Sequence, residues 1–444
     1  MQNKIIEKLR NYKNIAILGF GKEGLSTYNF IRKYDKELLL TILDKRQIDI
    51  DDENAKYKPY NSEDDLAEFD LVIKTPGIPA VNFSLDTKAK ITSQMELLLE
   101  FDRKNVIGIT GTKGKSTTAT LIYNIFKDQM KDVFLVGNIG IPVLDNLENY
   151  GNSVIVAEMS SHQLETVNFS PHIGIILNLY LDHLDYAGSV ENYHNSKMHI
   201  IKYQDEDDYA IYDLDNHYLK EQNFDNIKSK LLSVSLKDKA SIYLKDGDIY
   251  IDDNFLLNRK EIVTSLIGDH NLKNIMFALL VSSIYDLDLN KTLQTIKNFK
   301  PLEHRMEYVG KYKEILFYND SIATIPEATI SACETLKNVN TLIFGGKDRN
   351  IDYSELIDYL NNSNIDNFIC MPTTGHNLAN LLDEDRVIKV DTLEEAVDVA
   401  FKVTKKDSIC LLSPAASSYE YFKNFEEKGN KYKELIRNYD KEKA

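Results

Sequence analysis

Long apolar runs are absent from this chain. Nothing in its 444 residues approaches the ~20 consecutive apolar residues that a membrane-crossing helix needs. The opening MQNKIIEKLRNYKN also lacks the apolar core of a signal peptide. A cytoplasmic protein with no membrane partner is expected. Cysteine is scarce as well: Cys333, Cys370 and Cys410 are far apart and form no C-x-x-C pair. Neither a disulfide framework nor a zinc ribbon follows, and buried structural thiols are the expectation. Positive charge is outweighed, 53 Lys and Arg standing against 69 Asp and Glu for a net −16. That balance opposes nonspecific binding to nucleic acid or to an anionic membrane, but not binding of a small anion by local amides and a few cations. No period of 20–50 residues repeats, so a solenoid is not expected.

What is present is alternation. Apolar segments that end at turn residues, such as NIAILGFG (14–21), LLLTILD (38–44) and DLVIKTPG (70–77), are separated by stretches of helical spacing. The pattern continues through NVIGITG, SVIVAEMSS and IGIILNLYLDH. It resumes with NTLIFGG (340–346), NFICMP (367–372), VIKV (387–390) and SICLLSP (408–414). Residues 203–262, rich in Asp, Lys, Tyr and Asn, read as peripheral strands and loops, with SIYLKDGDIYID as a hairpin. Buried strands alternating with helices predict parallel sheets covered on both faces. Three α/β domains are expected: a Rossmann-like domain over 1–103, a central P-loop-type ATPase domain over 104–300, and a Rossmann-like domain over 301–444.

The segment GITGTKGKSTT (108–118) lies between an apolar strand and a helix. The P-loop pattern G-x-x-x-x-G-K-[ST] would put a glycine at Ile109, so the loop is short by that measure. Its chemistry survives: Gly111 and Gly114 let the amides of Thr112, Lys113 and their neighbours face phosphates. Lys115 supplies a cation, Ser116 a hydroxyl for Mg²⁺, and the following helix a positive end, with Thr117 completing the ATP-binding set. A plain glycine turn capping a helix is the alternative.

A second loop, GFGKEG (Gly19, Gly21, Gly24), precedes Asp44 by the spacing of a dinucleotide fingerprint, although no hydride-transfer site accompanies it. It suits the diphosphate of a sugar nucleotide equally well. Glu158, at the end of an apolar strand, is placed to reach Mg²⁺ or a bridging water. Asp182, His183 and Asp185 end another strand, with His183 the better site candidate and helix capping the alternative for the two aspartates. His162 and His199 read as surface or packing residues.

Together these segments resemble the Mur ligases, over nearly the whole chain and in order: GFGKEG, TPGIP, GITGTKGKSTT, GNIGIP, EMSSHQLE, NLYLDHLD, NYHNSK, GDHNLKN, EHRMEY, YNDSIAT, LIFGGKDR and SPAASSYEYFKNFEEKGNKY. The last segment is specific to the glutamate-adding branch, and the short phosphate loop is the family's own. The resemblance implies an ATP-dependent amide ligase acting on UDP-N-acetylmuramoyl-L-alanine and glutamate through an acyl phosphate, as a monomer. It implies Mg²⁺, as two ions, at Ser116, Glu158, His183 and a carbamylated Lys197. Asn271, Arg305 and Asp320 match residues around adenosine and the γ-phosphate. Gly19, Phe20, Gly21, Asp44, Lys45, Arg46, Gly77, Asn138 and His183 match contacts to the uridine diphosphate sugar. Thr324, Arg349, Ser418, Tyr419 and Phe425 match the glutamate site, and closure of the third domain is expected to complete catalysis.

Two positions depart from the family pattern. Ile322 replaces a lysine in NDSIAT, and Arg349 replaces the carboxylate-binding lysine, keeping the charge but changing its geometry. D- and L-glutamate therefore both stay open. So do an NAD-dependent oxidoreductase built on GFGKEG and a noncatalytic nucleotide-binding regulator.

Overall fold

Three short apolar segments are buried along their whole length: β1 (Ile15–Leu18), β2 (Leu40–Asp44) and, one strand later, β4 (Leu71–Lys74). Burial on both faces is what parallel strands flanked by helices require. With β3 (Ala55–Pro59) and β5 (Lys90–Thr92) they form an all-parallel sheet in the order β3-β2-β1-β4-β5. The order reverses between β1 and β4, and ligands of such sheets bind at the carboxyl ends of the strands there. The structure is a computed structural model and describes residues 1–79, 88–130, 132–139, 141–151, 153–180, 189–300, 303–348, 351–419 and 421–442.

The second sheet contains β6 (Val106–Thr110), β7 (Val133–Gly137), β8 (Val154–Glu158), β9 (Ile173–Ile176), β10 (Tyr209–Asp213), β11 (Lys230–Ser235), β12 (Ile242–Lys245), β13 (Asp248–Ile251) and β14 (Asn254–Asn258). Its order is β14-β13-β12-β11-β10-β9-β6-β8-β7, parallel from β7 to β12 and antiparallel beyond. The polar stretch 203–262 thus extends the sheet outward from β9. Its expected hairpin turns at Asp246 and Gly247, whose φ of 52° and 90° suit a two-residue connection.

The third sheet is built from β15 (Glu307–Tyr312), β16 (Ile315–Asn319), β17 (Val339–Phe344), β18 (Asn367–Cys370), β19 (Val387–Lys389) and β20 (Ile409–Leu412). Its order is β15-β16-β20-β17-β18-β19, parallel except for the β15–β16 hairpin. The three-sheet α/β architecture is the one expected.

The chain forms two compact units. One comprises 1–265 and 269–299, and holds the first two sheets; the other comprises 266–268 and 300–444, and holds the third. In the first unit a continuous apolar core runs from Ile5 and Ile17 to Ile155 and Ile176. All three cysteines are buried and free, and burial pushes the thiols of Cys370 and Cys410 up to about 12, which makes them inert. No helix among the described residues is long and apolar enough to cross a membrane.

Candidate active site

At the rim of the first sheet, glycine is demanded by close packing. A Cβ on Gly24 would collide with the Gly19 carbonyl, and one on Gly19, whose φ is +88°, with the Thr75 hydroxyl. Asp44, buried at the end of β2, accepts the Phe20 amide at 2.7 Å on one oxygen and the Arg46 amide at 2.8 Å on the other. Burial raises its pKa, but the bonds from the Arg46 side chain and these amides outweigh that and hold the carboxyl below the usual range. Asp44 therefore braces its own loop, while Lys45, Arg46 and Gly77 stay exposed on the same rim. The structure brings Gly19, Phe20, Gly21, Asp44 and Arg46 together.

The loop after β6 is held from outside. Gly114 has φ +83° and begins the helix Lys115–Gln129; a Cβ there would sit 2.9 Å from Asn274 Oδ1. The Lys113 amide donates to Asn178 Oδ1 at 2.8 Å, and Asn178 Nδ2 returns a bond to the Lys113 carbonyl at 3.0 Å. The Thr112 hydroxyl accepts from the Tyr180 amide and the Tyr193 hydroxyl. Lys115 Nζ folds back onto the carbonyls of Gly111 and Thr112, at 2.8 and 2.9 Å. From below, the fully buried Lys197 donates to Gly111 at 3.2 Å and lies 4.5 Å from the Tyr193 ring centre. Asn271 accepts from Asn274 Nδ2 at 3.2 Å, within the helix Asp269–Ile284 that packs on the loop's own helix. Ser116 and Thr117 lie in the first turn behind the loop. Asn178, Asn274 and Tyr193 were not singled out from the sequence, although each lies inside a quoted motif.

Next to this loop β8 ends in Glu158, paired in register with Ile109 of β6. The side chain is fully buried; Oε1 accepts from Asn138 Nδ2 at 2.7 Å and Oε2 has no partner among the described residues. A buried carboxylate oxygen left open suits a cation, since without one its desolvation is uncompensated. Among the described residues no three His, Cys, Asp or Glu side chains gather as a metal cluster. The donor set is thus Glu158, the Ser116 hydroxyl and Lys197, which fits Mg²⁺ only if the lysine is converted to an anion. Asp182, His183 and Asp185 lie outside the described residues. His199 packs inside, its ring bonded to the Leu164 carbonyl at 2.9 Å and its pKa lowered by burial.

In the second unit Asp320 follows β16 and accepts the Met306 amide at 3.1 Å and the Ser413 hydroxyl at 2.8 Å. It joins the segment containing Arg305 to the end of β20. Thr324 is half-buried in the loop before the helix Pro326–Leu336. The Ser418 hydroxyl is buried with no hydrogen-bond partner among the described residues, whereas Tyr419 is 73% exposed. Phe425 opens the helix Phe425–Glu442, and its carbonyl accepts the Ser321 hydroxyl at 2.9 Å. Arg349 lies outside the described residues. Ile322 is half-buried, its amide donating to the His304 carbonyl at 3.2 Å.

Residues 109–282 match the Mur ligase middle domain, and residues 304–416 the Mur ligase glutamate ligase domain. The chain is 32% identical to the UDP-N-acetylmuramoylalanine--D-glutamate ligase of Clostridioides difficile and 33% identical to that of Oenococcus oeni; both matches cover 96% of this chain and 98% of the relative. Among solved structures, MurF from Acinetobacter baumannii superposes with a TM-score of 0.65 at 14% identity, covering 97% of this chain and 98% of that one. MurF ligase from Thermotoga maritima in complex with ADP gives 0.62 at 18%, covering 97% and 95%. At these identities the structures speak for the fold. The curated relatives, alike across nearly the whole chain, speak for more, and the chain belongs to the Mur ligase family.

Proposed function

We propose that this chain is an ATP-dependent ligase that adds D-glutamate to UDP-N-acetylmuramoyl-L-alanine through an acyl phosphate, in cytoplasmic peptidoglycan-precursor synthesis. One observation carries the reading: the 111–116 loop, braced by two lysines, lies beside a buried Glu158 carboxylate with an open oxygen. The names of the relatives supply the substrates and the D-configuration. Residues 1–103 are assigned to the uridine diphosphate sugar, 104–300 to ATP and 301–444 to glutamate, and the enzyme to a monomer.

A carboxylate resists attack by an amine because its oxygen is a poor leaving group. Its oxygen instead attacks the γ-phosphorus; the new P–O bond forms as the bond to ADP breaks. The neutral amine of glutamate then attacks the acyl carbon, phosphate departs, and the amine loses a proton. Catalysis is mainly alignment and neutralisation of crowded negative charge. The amides of residues 111–116 face the phosphates, and Lys115 exchanges its two backbone carbonyls for phosphate oxygens. Asn178 holds the Lys113 peptide still from both sides. Lys197 supports the loop through Gly111, and as a carbamate it would present an oxygen instead. Glu158, Ser116, carbamylated Lys197 and His183 would hold Mg²⁺, which when bound offsets phosphate charge. Asn271, Arg305 and Asp320 serve the nucleotide. Thr324, Arg349, Ser418, Tyr419 and Phe425 serve the amino acid.

The test mixes protein, Mg²⁺, ATP and UDP-N-acetylmuramoyl-L-alanine with D- or L-glutamate, reading phosphate release and product mass together. Product with D-glutamate alone is expected. Product with L-glutamate alone would keep the chemistry and overturn the substrate, and no product with either would overturn the reading.

A further inference from the structure

Two lysines are among the largest fully buried side chains of this protein, and they stand in matching places. Lys197 lies beneath the turn after β6 and donates to Gly111. Lys428 lies beneath the turn after β17 and donates to the Gly345 carbonyl at 2.8 Å. Both glycines have positive φ, +150° at Gly111 and +124° at Gly345. Each turn follows the strand where its sheet changes direction, the position of ligand sites in such folds. The role of Lys197 is absorbed by the phosphate loop. That of Lys428 is not.

The turn above Lys428 is tied in place on several sides. The Gly345 amide donates to the Pro414 carbonyl at 2.9 Å and the Lys347 amide to the Ser417 carbonyl at 2.8 Å. The Gly346 carbonyl accepts from the amides of Thr373 and Thr374. A Cβ on Gly346 would strike the Ser417 carbonyl, so the two segments touch backbone to backbone. One residue further, the Ser418 hydroxyl is buried and has no partner among the described residues. The helix carrying Lys428 is itself pinned, since a Cβ on Gly429 would collide with His304 and Ser321.

An ammonium at this depth is costly unless something uses it. Among the described residues no carboxylate pairs with Lys428. On its own helix Glu426 and Glu427 are exposed, while Lys433 bonds to Glu307 at 2.9 Å. Against that helix stands His304, whose pKa is lowered by burial first and by Lys433 second, against the opposing pull of Glu307, Glu303 and Glu426. Burial alone lowers the Lys428 pKa, to about 7.

We propose that Lys428 is a positioning residue of the amino-acid site: it holds the Gly345–Gly346 turn against Ser417–Ser418 and supplies the buried positive charge that a dicarboxylate amino acid calls for. The inference rests on the reading of residues 301–444 as the glutamate-binding domain. A dianionic ligand near the turn favours the charged ammonium, so binding weakens as pH rises through about 7. Arginine stays charged and removes that dependence.

The test compares wild type with Lys428→Met and Lys428→Arg. Lys428→Met is expected to raise KM for glutamate about ten-fold or more, with KM for ATP and for the uridine substrate within about two-fold. Its thermal midpoint should hold or rise, because an unpaired buried cation has been removed. Lys428→Arg should keep KM near wild type at neutral pH and flatten its rise with pH. An unchanged glutamate KM in Lys428→Met, or all three KM values rising together with a falling midpoint, would overturn the proposal. If Lys428→Met does not fold, the arginine pH profile decides: a profile identical to wild type overturns it. If wild type turns over neither glutamate isomer, the functional reading fails first. Hydrogen exchange at the Lys347 amide then tests the turn, with faster exchange in Lys428→Met expected and unchanged exchange counting against it.

Discussion

Asn138 Nδ2 donates to Glu158 Oε1 over 2.7 Å and leaves the other oxygen of that fully buried carboxylate without a partner among the described residues. The arrangement orients a negative charge without neutralising it. Glu158→Gln is therefore expected to lower kcat/KM by about 100-fold or more while leaving the thermal midpoint unchanged or raised. Phosphate release across a Mg²⁺ titration, run beside a melting curve, checks this. Loss of stability in step with activity would make Glu158 a structural residue.

Asn178 clamps both sides of the Lys113 peptide. Removing two hydrogen bonds of about 1 kcal/mol each should loosen the loop enough to raise KM for ATP about ten-fold in Asn178→Ala. KM for glutamate should stay put. Initial rates with each substrate varied in turn would separate the two.

In the proposed Mg²⁺ site Lys197 could serve only as an anion, since a protonated amine repels a cation. Activity is expected to fall after exhaustive removal of dissolved CO₂ and to return on adding bicarbonate, with Lys197→Ala inactive under both conditions. Activity indifferent to bicarbonate in the wild type would count against carbamylation.

The first glycine loop has no room for a side chain at Gly24. Gly24→Ala drives a Cβ into the Gly19 carbonyl, a backbone atom that cannot swing aside. A stability loss of about 1–3 kcal/mol is expected, with a raised KM for the uridine substrate. Urea unfolding and initial rates would measure the two effects; wild-type values for both would show that the loop relaxes.

Acid should unfold the first unit through Asp208. Burial raises its pKa, but Lys104, the Asp205 amide, His172 and Arg103 together outweigh burial and depress it far below the usual carboxylate range. A depressed folded-state pKa gives stability above the unfolded value of 3.8, lost as pH falls below it. Asp208→Asn should cost about 1–3 kcal/mol near neutral pH by removing the buried carboxylate that ties Arg103, Lys104 and His172 together, and should flatten the acid limb of a urea-midpoint series. A variant as stable as wild type would show that the cluster relaxes into solvent.

The strands were legible because their signal is local. IAIL and ICLL are apolar on every residue and VIVAE on all but its final Glu158, and a strand buried on both faces reads that way in a window of a few positions. Weaker signals hid β3, whose residues AKYKP are half exposed, and β7, which follows its helix closely. The site was legible mainly as motifs, because glycines and cations that serve phosphate must follow one another along a single turn. Asn178, Asn274 and Tyr193 were harder to see, since what makes them part of the site is contact with residues 112–114, far away in sequence.

Order and chemistry of the segments, the α/β class and the type of loop after each central strand were therefore determined by the sequence alone, through periodicity and short-range stereochemistry. The partnerships were not. That Asp44 braces Phe20, that Glu158 keeps one oxygen open, and that Lys197 and Lys428 lie buried under two glycine turns was decided by tertiary structure. The physical reason is that burial and hydrogen bonding belong to pairs of distant segments. A lysine in a polar segment such as NFEEKGNKY reads as surface until packing covers it.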